Sequence, residues 1–232
     1  MVLLQQLGLY LTDLLFPPHC AGCQSTGYVL CPTCLVQIQP GREKRCNHCH
    51  SHITPAGLCK ACRYRLLSLS GLRTVGFHQG PLRTCIHALK YQGNKRLAEP
   101  LGQLLAQAYQ DYGLRADWIV PVPLHRERLR QRGYNQATLL AKVCADQVGL
   151  PLREDLVIRQ RATAVQMNLG VRERLQNVKG AFAYAAKGPV RRCNILLIDD
   201  VCTTGATIEA CAAPLLEAKA CSVWGLVLAR PW

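Results

Sequence analysis

Acidic residues are scarce in this chain: 14 Asp and Glu stand against 28 Lys and Arg in 232 residues, a formal charge of +14 at pH 7. Beyond residue 70 the balance is 22 − 12 = +10, which favours a polyanionic partner. Long apolar runs are also missing. Met1 to Phe16 (MVLLQQLGLYLTDLLF) has neither a basic leading segment nor an uninterrupted apolar core, which speaks against an export signal and a membrane span. It predicts instead a short amphipathic helix packed on the protein. No G-x-x-x-x-G-K-[ST] segment occurs, so an acidic strand end here is not a Walker B strand. A low-complexity tail is absent, and so is any internal repeat beyond a set of cysteine pairs.

Those pairs are the first positive signal. Eight of the fourteen cysteines precede residue 63 as four C-x-x-C units: Cys20/Cys23, Cys31/Cys34, Cys46/Cys49 and Cys59/Cys62. Two residues between cysteines is the spacing of a thiolate knuckle, and without an export signal zinc is a better reading than disulfides. Tetrahedral zinc takes four ligands, so eight thiolates supply two closed structural sites that stabilise a segment poor in apolar residues. Pairing in chain order gives two consecutive ribbons; an interleaved pairing uses the same ligands. Full cysteine ligation leaves no open position for catalysis. His19, His48, His50 and His52 crowd the region and could replace a thiolate, but with eight cysteines present they are expected to be exposed loop residues. Cys85, Cys144, Cys193, Cys202, Cys211 and Cys221 are scattered singly and read mostly as small core hydrophobes. Cys202 differs by its place beside a helix start, where a thiolate is favoured and oxidation is easier.

From about Gly71 the pattern becomes α/β. Strand-like runs at Thr74–His78, Trp118–Pro123, Gly180–Ala185, Ile195–Ile198 and Ser222–Leu228 alternate with helical spacing over Leu82–Tyr91, Leu97–Tyr112, Asn135–Val148 and Ile208–Ala220. This alternation implies a mainly parallel sheet covered on both faces. The expected division is a head at 1–70, holding the N-terminal helix and a double zinc ribbon, and a catalytic-type unit at 71–232.

ILLIDDVCTTGAT at 195–207 carries the most chemistry. A buried strand leads into Asp199 and Asp200, with 199–207 read as the turn before the next helix, and ligands of open α/β sheets bind at such carboxyl ends. Gly205 lets the backbone approach a ligand. Thr203, Thr204 and Thr207 offer hydroxyls beside the free amides of the helix start, a combination that favours a phosphate group. The segment resembles the phosphoribosyl pyrophosphate (PRPP) signature of type I phosphoribosyltransferases. That resemblance implies that the two aspartates hold the ribose 2′- and 3′-hydroxyls and the threonine loop holds the 5′-phosphate.

WIVPVPLHRERLRQRGYNQA at 118–137 comes next. Pro-Val-Pro ends a strand at the carboxyl edge of the sheet, and Arg126, Arg128, Arg130 and Arg132 follow with only Glu127 opposing them. Alternation by two fits a loop facing a polyanion as well as it fits a solvated helix face. By the same resemblance, Pro121 to Pro123 cradle pyrophosphate. Between Leu152 and Lys179 the sequence is rich in Arg and Gln without periodicity. It is expected to be a mobile loop whose Arg159, Arg161, Arg172, Arg174 and Lys179 meet pyrophosphate charge, or a basic disordered stretch. Type I phosphoribosyltransferases carry a flexible segment here that closes over PRPP.

The zinc-knuckle head, the PVPL…RGYNQA segment, the run Arg159, Arg161, Gln166, Arg174, Asn177–Phe182 and the IDDVCTTGAT loop together resemble the ComF family along nearly the whole chain. The resemblance implies an α/β fold of the type I phosphoribosyltransferase kind behind a zinc-ribbon domain. It also implies a cytoplasmic role in natural competence, handling incoming single-stranded DNA, with competence DNA-uptake proteins as possible partners. The site residues would be Asp199, Asp200, Thr203, Thr204, Gly205, Ala206 and Thr207 for PRPP with magnesium. Arg132, Arg161 and Arg174 are the catalytic candidates, and Arg126, Arg128 and Arg130 the nucleic-acid contacts, with Tyr28 and Tyr64 available to stack bases. Two functions remain open at this point: a DNA-uptake factor that binds PRPP, and an active phosphoribosyltransferase whose base, amine or nucleic-acid acceptor the sequence does not disclose.

Overall fold

The computed structural model describes residues 13, 16–38, 46, 48–49, 57, 59, 62, 68–162, 178–185 and 190–231. Of the helix expected over Met1–Phe16 only Asp13 and Phe16 fall within that set, and His50, His52, Tyr64, Gln166, Arg172, Arg174 and Asn177 lie outside it.

The eight paired cysteines assemble in chain order. Cys20, Cys23, Cys31 and Cys34 form one group and Cys46, Cys49, Cys59 and Cys62 the other, with the sulfurs of each group within 4.8 Å of one another. Four sulfurs around one zinc at about 2.3 Å stand about 3.8 Å apart, so both groups fit that ion. The wiring repeats. The Cys31 amide donates to Cys20 Sγ at 3.3 Å and the Cys34 amide to Cys31 Sγ at 3.4 Å; the Cys59 and Cys62 amides donate in the same way to Cys46 and Cys59, at 3.3 and 3.4 Å. Such N–H···S bonds favour the thiolate a metal requires. Burial raises the Cys20 thiol's pKa, but the amides of Cys31, Cys23 and Gly22 outweigh it and leave it below its ordinary value. A short helix, α1 (Pro32–Gln37), is capped by Cys31 and has proline in its first turn, where no amide is needed.

His19 is exposed, as expected, and bridges Thr26. His48 is not. It is half-buried between the second cysteine group and the sheet; burial, with the nearby Arg73 charge, holds its pKa below the usual histidine range.

The α/β unit begins with β1 (Gly71–Phe77), α2 (Gly80–Tyr91), a 3-10 turn (Lys95–Leu97) and α3 (Ala98–Asp111). It continues through β2 (Trp118–Pro121), α4 (Arg126–Arg132), α5 (Gln136–Val148), β3 (Val157–Arg159) and β4 (Phe182–Tyr184), and ends with β5 (Asn194–Val201), α6 (Ala206–Glu217) and β6 (Ser222–Arg230). The main sheet is parallel throughout, in the order β1-β6-β5-β2, while β3 and β4 pair antiparallel in a separate sheet. The run at Gly180–Ala185 therefore contributes to the small sheet and not the large one. Part of the stretch read as a loop from Leu152 is strand β3, because Val157 is buried and pairs with Tyr184.

Strand β5 explains why the sheet is covered on both sides. Leu196 and Ile198 pack with Leu89, Leu101 and Leu140 of the α2, α3 and α5 layer, whereas Ile195 and Leu197 pack with Val157, Phe182, Ile208 and Leu215 of β3, β4 and α6. Alternating side chains thus enter two cores, which a continuous apolar run requires. On the first layer, a Cβ at Gly102 would lie 2.5 Å from Val143 Cβ, so glycine is what lets α3 and α5 approach this closely.

The cysteine groups are fastened to the sheet. The Leu72 amide donates to the His48 carbonyl at 2.7 Å, Ile38 joins the first core beside Val75 and Leu82, and Arg230 at the end of β6 donates to the Cys49 carbonyl. Among the described residues no helix is long and apolar enough to cross a membrane.

Two zinc ions per chain are the expected result of native mass spectrometry, and chelation should open residues 20–62 to proteases, since closed thiolate sites bind with apparent energies near ~10–16 kcal/mol. A metal-free protein with a protease-resistant head would refute the structural role.

Candidate functional site

Beyond Ile198 the apolar alternation of β5 continues with carboxylates. Asp199 and Asp200 are strand residues, not turn residues, so they point to opposite faces of the sheet. Asp200 is only 2% exposed, in contrast to a solvent-facing strand end, and pairs with Lys90 Nζ at 2.8 Å. Its other oxygen, Oδ2, is buried without a hydrogen-bond partner among the described residues. Lys90 stands in the last turn of α2, where the helix dipole also favours a cation. Burial acts to lower its pKa, but Asp200 outweighs that and holds the ammonium above its ordinary value. Asp199 accepts the Asp200 amide at 2.8 Å. Its carboxyl is pushed up to about 7 by burial and by the Asp200 charge, against the opposing pull of Lys90 and Arg159.

Both aspartates line a cleft of about 910 Å³, with Lys90, Arg128, Arg132 and Arg159 contributing positive charge around them. The arginine-rich segment is helix α4, which decides for a helix between the two alternatives its sequence left open. Arg128 and Arg132 are four residues apart and share the face that lines the cleft, whereas Arg126 and Arg130 are exposed and lie outside its lining. Alternation by two was therefore two helical stripes. Burial and the neighbouring Arg128 hold the Arg159 guanidinium below its ordinary pKa, the electrostatics of cations crowded for an anion. Arg161 is not part of this group: it is exposed and donates to the Lys179 carbonyl at 2.8 Å. Arg174 lies outside the described residues.

The RGYNQA corner positions the rim. Gly133 ends α4 at φ 77°, and Asn135 caps α5 by accepting the Ala137 amide at 3.1 Å. The same side chain donates to the Val122 carbonyl at 3.1 Å, fixing the turn after Pro121. Arg132 is held by Gln136 and lies 5.3 Å from the Tyr91 ring centroid.

Opposite lies the loop between β5 and α6. Thr203 and Thr207 line the cleft, while Thr204, Gly205 and Ala206 do not; Thr204 Oγ1 accepts the Ala206 amide at 3.4 Å. Gly205 adopts φ 83° immediately before α6, a left-handed conformation that glycine enters without strain. The Thr203 carbonyl accepts a second N–H of Arg230, at 3.0 Å, so one guanidinium ties the loop to the second cysteine group. Cys202 departs from the expectation of a favoured, easily oxidised thiolate: it is buried, and burial pushes it up to about 11.

His87, Lys90, Tyr91 and Gly93 belong to the cleft and were not foreseen. The signal was a cationic, aromatic helix end followed by glycine, but nothing local ties it to aspartates more than a hundred residues later.

A family model described as a double zinc ribbon domain matches residues 11–66. Competence protein F of Haemophilus influenzae is 32% identical over 226 residues, covering 91% of this chain and 97% of its own length. DNA utilization protein YhgH of Escherichia coli is 33% identical over 214 residues, covering 89% and 87%. Competence protein ComFC of Bacillus subtilis is 28% identical, covering 81% and 85%. Among solved structures, a glutamine PRPP amidotransferase from B. subtilis complexed with ADP and GMP aligns over 56% of this chain at 22% identity and a TM-score of 0.38, spanning 25% of that longer chain.

A carboxyl whose folded pKa, here about 7, exceeds its ordinary 3.8 stabilises the fold while protonated; that stability is complete below about pH 4 and is lost as pH rises through 7. Asp199→Asn removes the loss. The variant should melt several degrees above wild type at pH 8, by up to about 10 °C, with the gap closing towards pH 4, in calorimetric scans without ligand. Equal melting points at both pH values would show that the Asp199 carboxyl is not raised.

Proposed function

The chain belongs to the ComF family of competence and DNA utilization proteins, and on that footing we propose that it binds PRPP in the cleft and single-stranded DNA along its basic surface, acting in the cytoplasm during DNA uptake. The observation that carries the PRPP reading is Asp200 Oδ2, buried without a hydrogen-bond partner among the described residues on a side chain that lines the cleft beside Lys90. A buried acceptor without a donor is costly by about 1–3 kcal/mol, and a ribose hydroxyl would satisfy it. Asp199, which lines the same cleft, would take the second hydroxyl. Thr203, Thr207 and the first amides of α6 suit the 5′-phosphate, Thr204, Gly205 and Ala206 shape that turn, and Arg128, Arg132 and Arg159 suit the pyrophosphate. Magnesium, when bound with PRPP, would neutralise pyrophosphate charge. In this proposal the chain divides at about residue 70 into the zinc-ribbon head and the phosphoribosyltransferase-like unit, and DNA-uptake proteins are its partners.

A second reading, an active phosphoribosyltransferase, is supported by the size of the cleft, which at about 910 Å³ is near the upper end of small-ligand pockets and leaves room for an acceptor beside PRPP. Arg132 and Arg159 would then stabilise the departing pyrophosphate, with Arg161 and Arg174 as further candidates from the adjoining segment.

Asp199→Asn should weaken magnesium-dependent PRPP binding at least tenfold in titration calorimetry while the melting behaviour shows an intact fold. Asp200→Asn is a poorer probe because it strands Lys90, and breaking a buried pair costs about 3–5 kcal/mol. Wild type that binds no PRPP, or an Asp199 variant that binds it equally, would refute the site. For DNA, anisotropy titrations over a range of salt should find that Ala at Arg126, Arg128 and Arg130 flattens the slope of log affinity against log salt by up to about two units, since each single-strand phosphate contact contributes roughly 0.7. An unchanged slope would remove α4 from the DNA path.

A further inference from the structure

Tyr91 is 67% exposed although it stands inside the cleft, at the end of α2 and one residue from the Lys90–Asp200 pair. Exposure of one large side chain means little by itself. Here the ring is also fixed in place. His87, one turn earlier on α2, lies 4.9 Å away between ring centroids at a 49° tilt, and the Arg132 guanidinium lies 5.3 Å from the Tyr91 centroid. Arg132 is in turn held by Gln136, so the ring is contacted from both α2 and the end of α4. Two residues on, Gly93 turns the chain at φ 70° and also lines the cleft, with open space where a side chain would otherwise stand.

We propose that Tyr91, flanked by His87 and Arg132, is a stacking subsite for an unpaired nucleobase at the mouth of the cleft. An aromatic face beside a guanidinium suits a flat, uncharged heterocycle with ring-nitrogen and carbonyl acceptors, and both tyrosine and arginine planes stack on bases. The surrounding charge selects against the other acceptor class. With Lys90 paired to Asp200, Arg128, Arg132 and Arg159 still outnumber Asp199 in the same cleft and disfavour a protonated amine. The position follows from the helix: Lys90 fixes one end of the cleft through Asp200, and the next residue places the ring beside it. This assignment rests on the reading of the cleft as a phosphoribosyl site and adds to it the chemical class of the second ligand. The base comes either from a single strand threading the mouth or from a free nucleotide, and the two sources share the same stacking contact.

The test compares wild type, Tyr91→Ala and Tyr91→Phe in binding to a short oligodeoxythymidine and to an abasic oligomer of equal length and charge. Loss of one stacked base should weaken oligodeoxythymidine binding by roughly tenfold in Tyr91→Ala, with Tyr91→Phe close to wild type. The abasic oligomer should bind all three proteins alike. An equal loss on both oligomers, or no loss on either, overturns the subsite. Competition by thymidine 5′-monophosphate that depends on Tyr91 in the same way assigns the site to a free nucleotide, and absence of such competition assigns it to the strand. Magnesium PRPP titrations of the same proteins separate the two levels of inference. PRPP binding with Tyr91-independent base binding removes the stacking subsite alone, whereas Tyr91-dependent base binding without any PRPP binding keeps the subsite and removes the phosphoribosyl reading.

Discussion

An acidic pair at the end of an otherwise apolar central strand constrains everything around it. Four residues of β5, Ile195 to Ile198, are fully buried in two separate cores, so the next two side chains leave the strand on opposite faces with little water to solvate them. Asp200 is compensated by Lys90 at 2.8 Å, a contact that joins Leu89 packing in holding the end of α2 against the sheet. Asp199 has no comparable ion pair among the described residues and responds by holding its proton more tightly. Lys90 and Arg159, on the two faces, supply the opposing charge, and a cleft with two carboxyl groups under several cations is the consequence.

The zinc ribbons are part of this arrangement. Arg230 ends β6, next to β5, and is 8% exposed. Its guanidinium donates to carbonyls on both sides, Cys49 in the second cysteine group and Thr203 in the loop over α6. Buried arginine N–H groups are costly unless satisfied, so ribbon and loop are held to a common distance by the same side chain. The Leu72 amide on the His48 carbonyl extends the attachment to β1, the far edge of the sheet. Metal ligation, which holds Cys49, thereby bears on the shape of a loop from a distant part of the chain.

Much of this was legible in the sequence because the relevant physics is local. C-x-x-C spacing sets a knuckle without reference to the rest of the chain, and the matching amide-to-sulfur bonds in both groups show it. Apolar runs and helical spacing located the main elements, since strand and helix periods are properties of the backbone. The expectations that failed or were left open involve short or ambiguous segments. The arginines of 126–132 alternate by two in sequence yet fall on two helical stripes, a distinction that depends on whether His125 and Gly133 cap a helix. Cys202 followed a rule for helix starts but is governed by burial, and His48 is sheltered by a sheet that its neighbours in sequence do not reveal.

Composition and motif alone determined the family, the eight metal-binding cysteines, the parallel α/β architecture and the strand end at which ligand chemistry collects, because each is encoded in residues close together along the chain; which four cysteines share a site was decided by the structure. Tertiary structure alone decided which charges meet there. Lys90 joins Asp200, Arg128 and Arg132 turn inward while Arg126 and Arg130 turn out, Tyr91 stands in the mouth, and Arg230 reaches from the loop to the ribbon. Those contacts span tens to more than a hundred residues and depend on strand order and helix rotation, which no local spacing specifies.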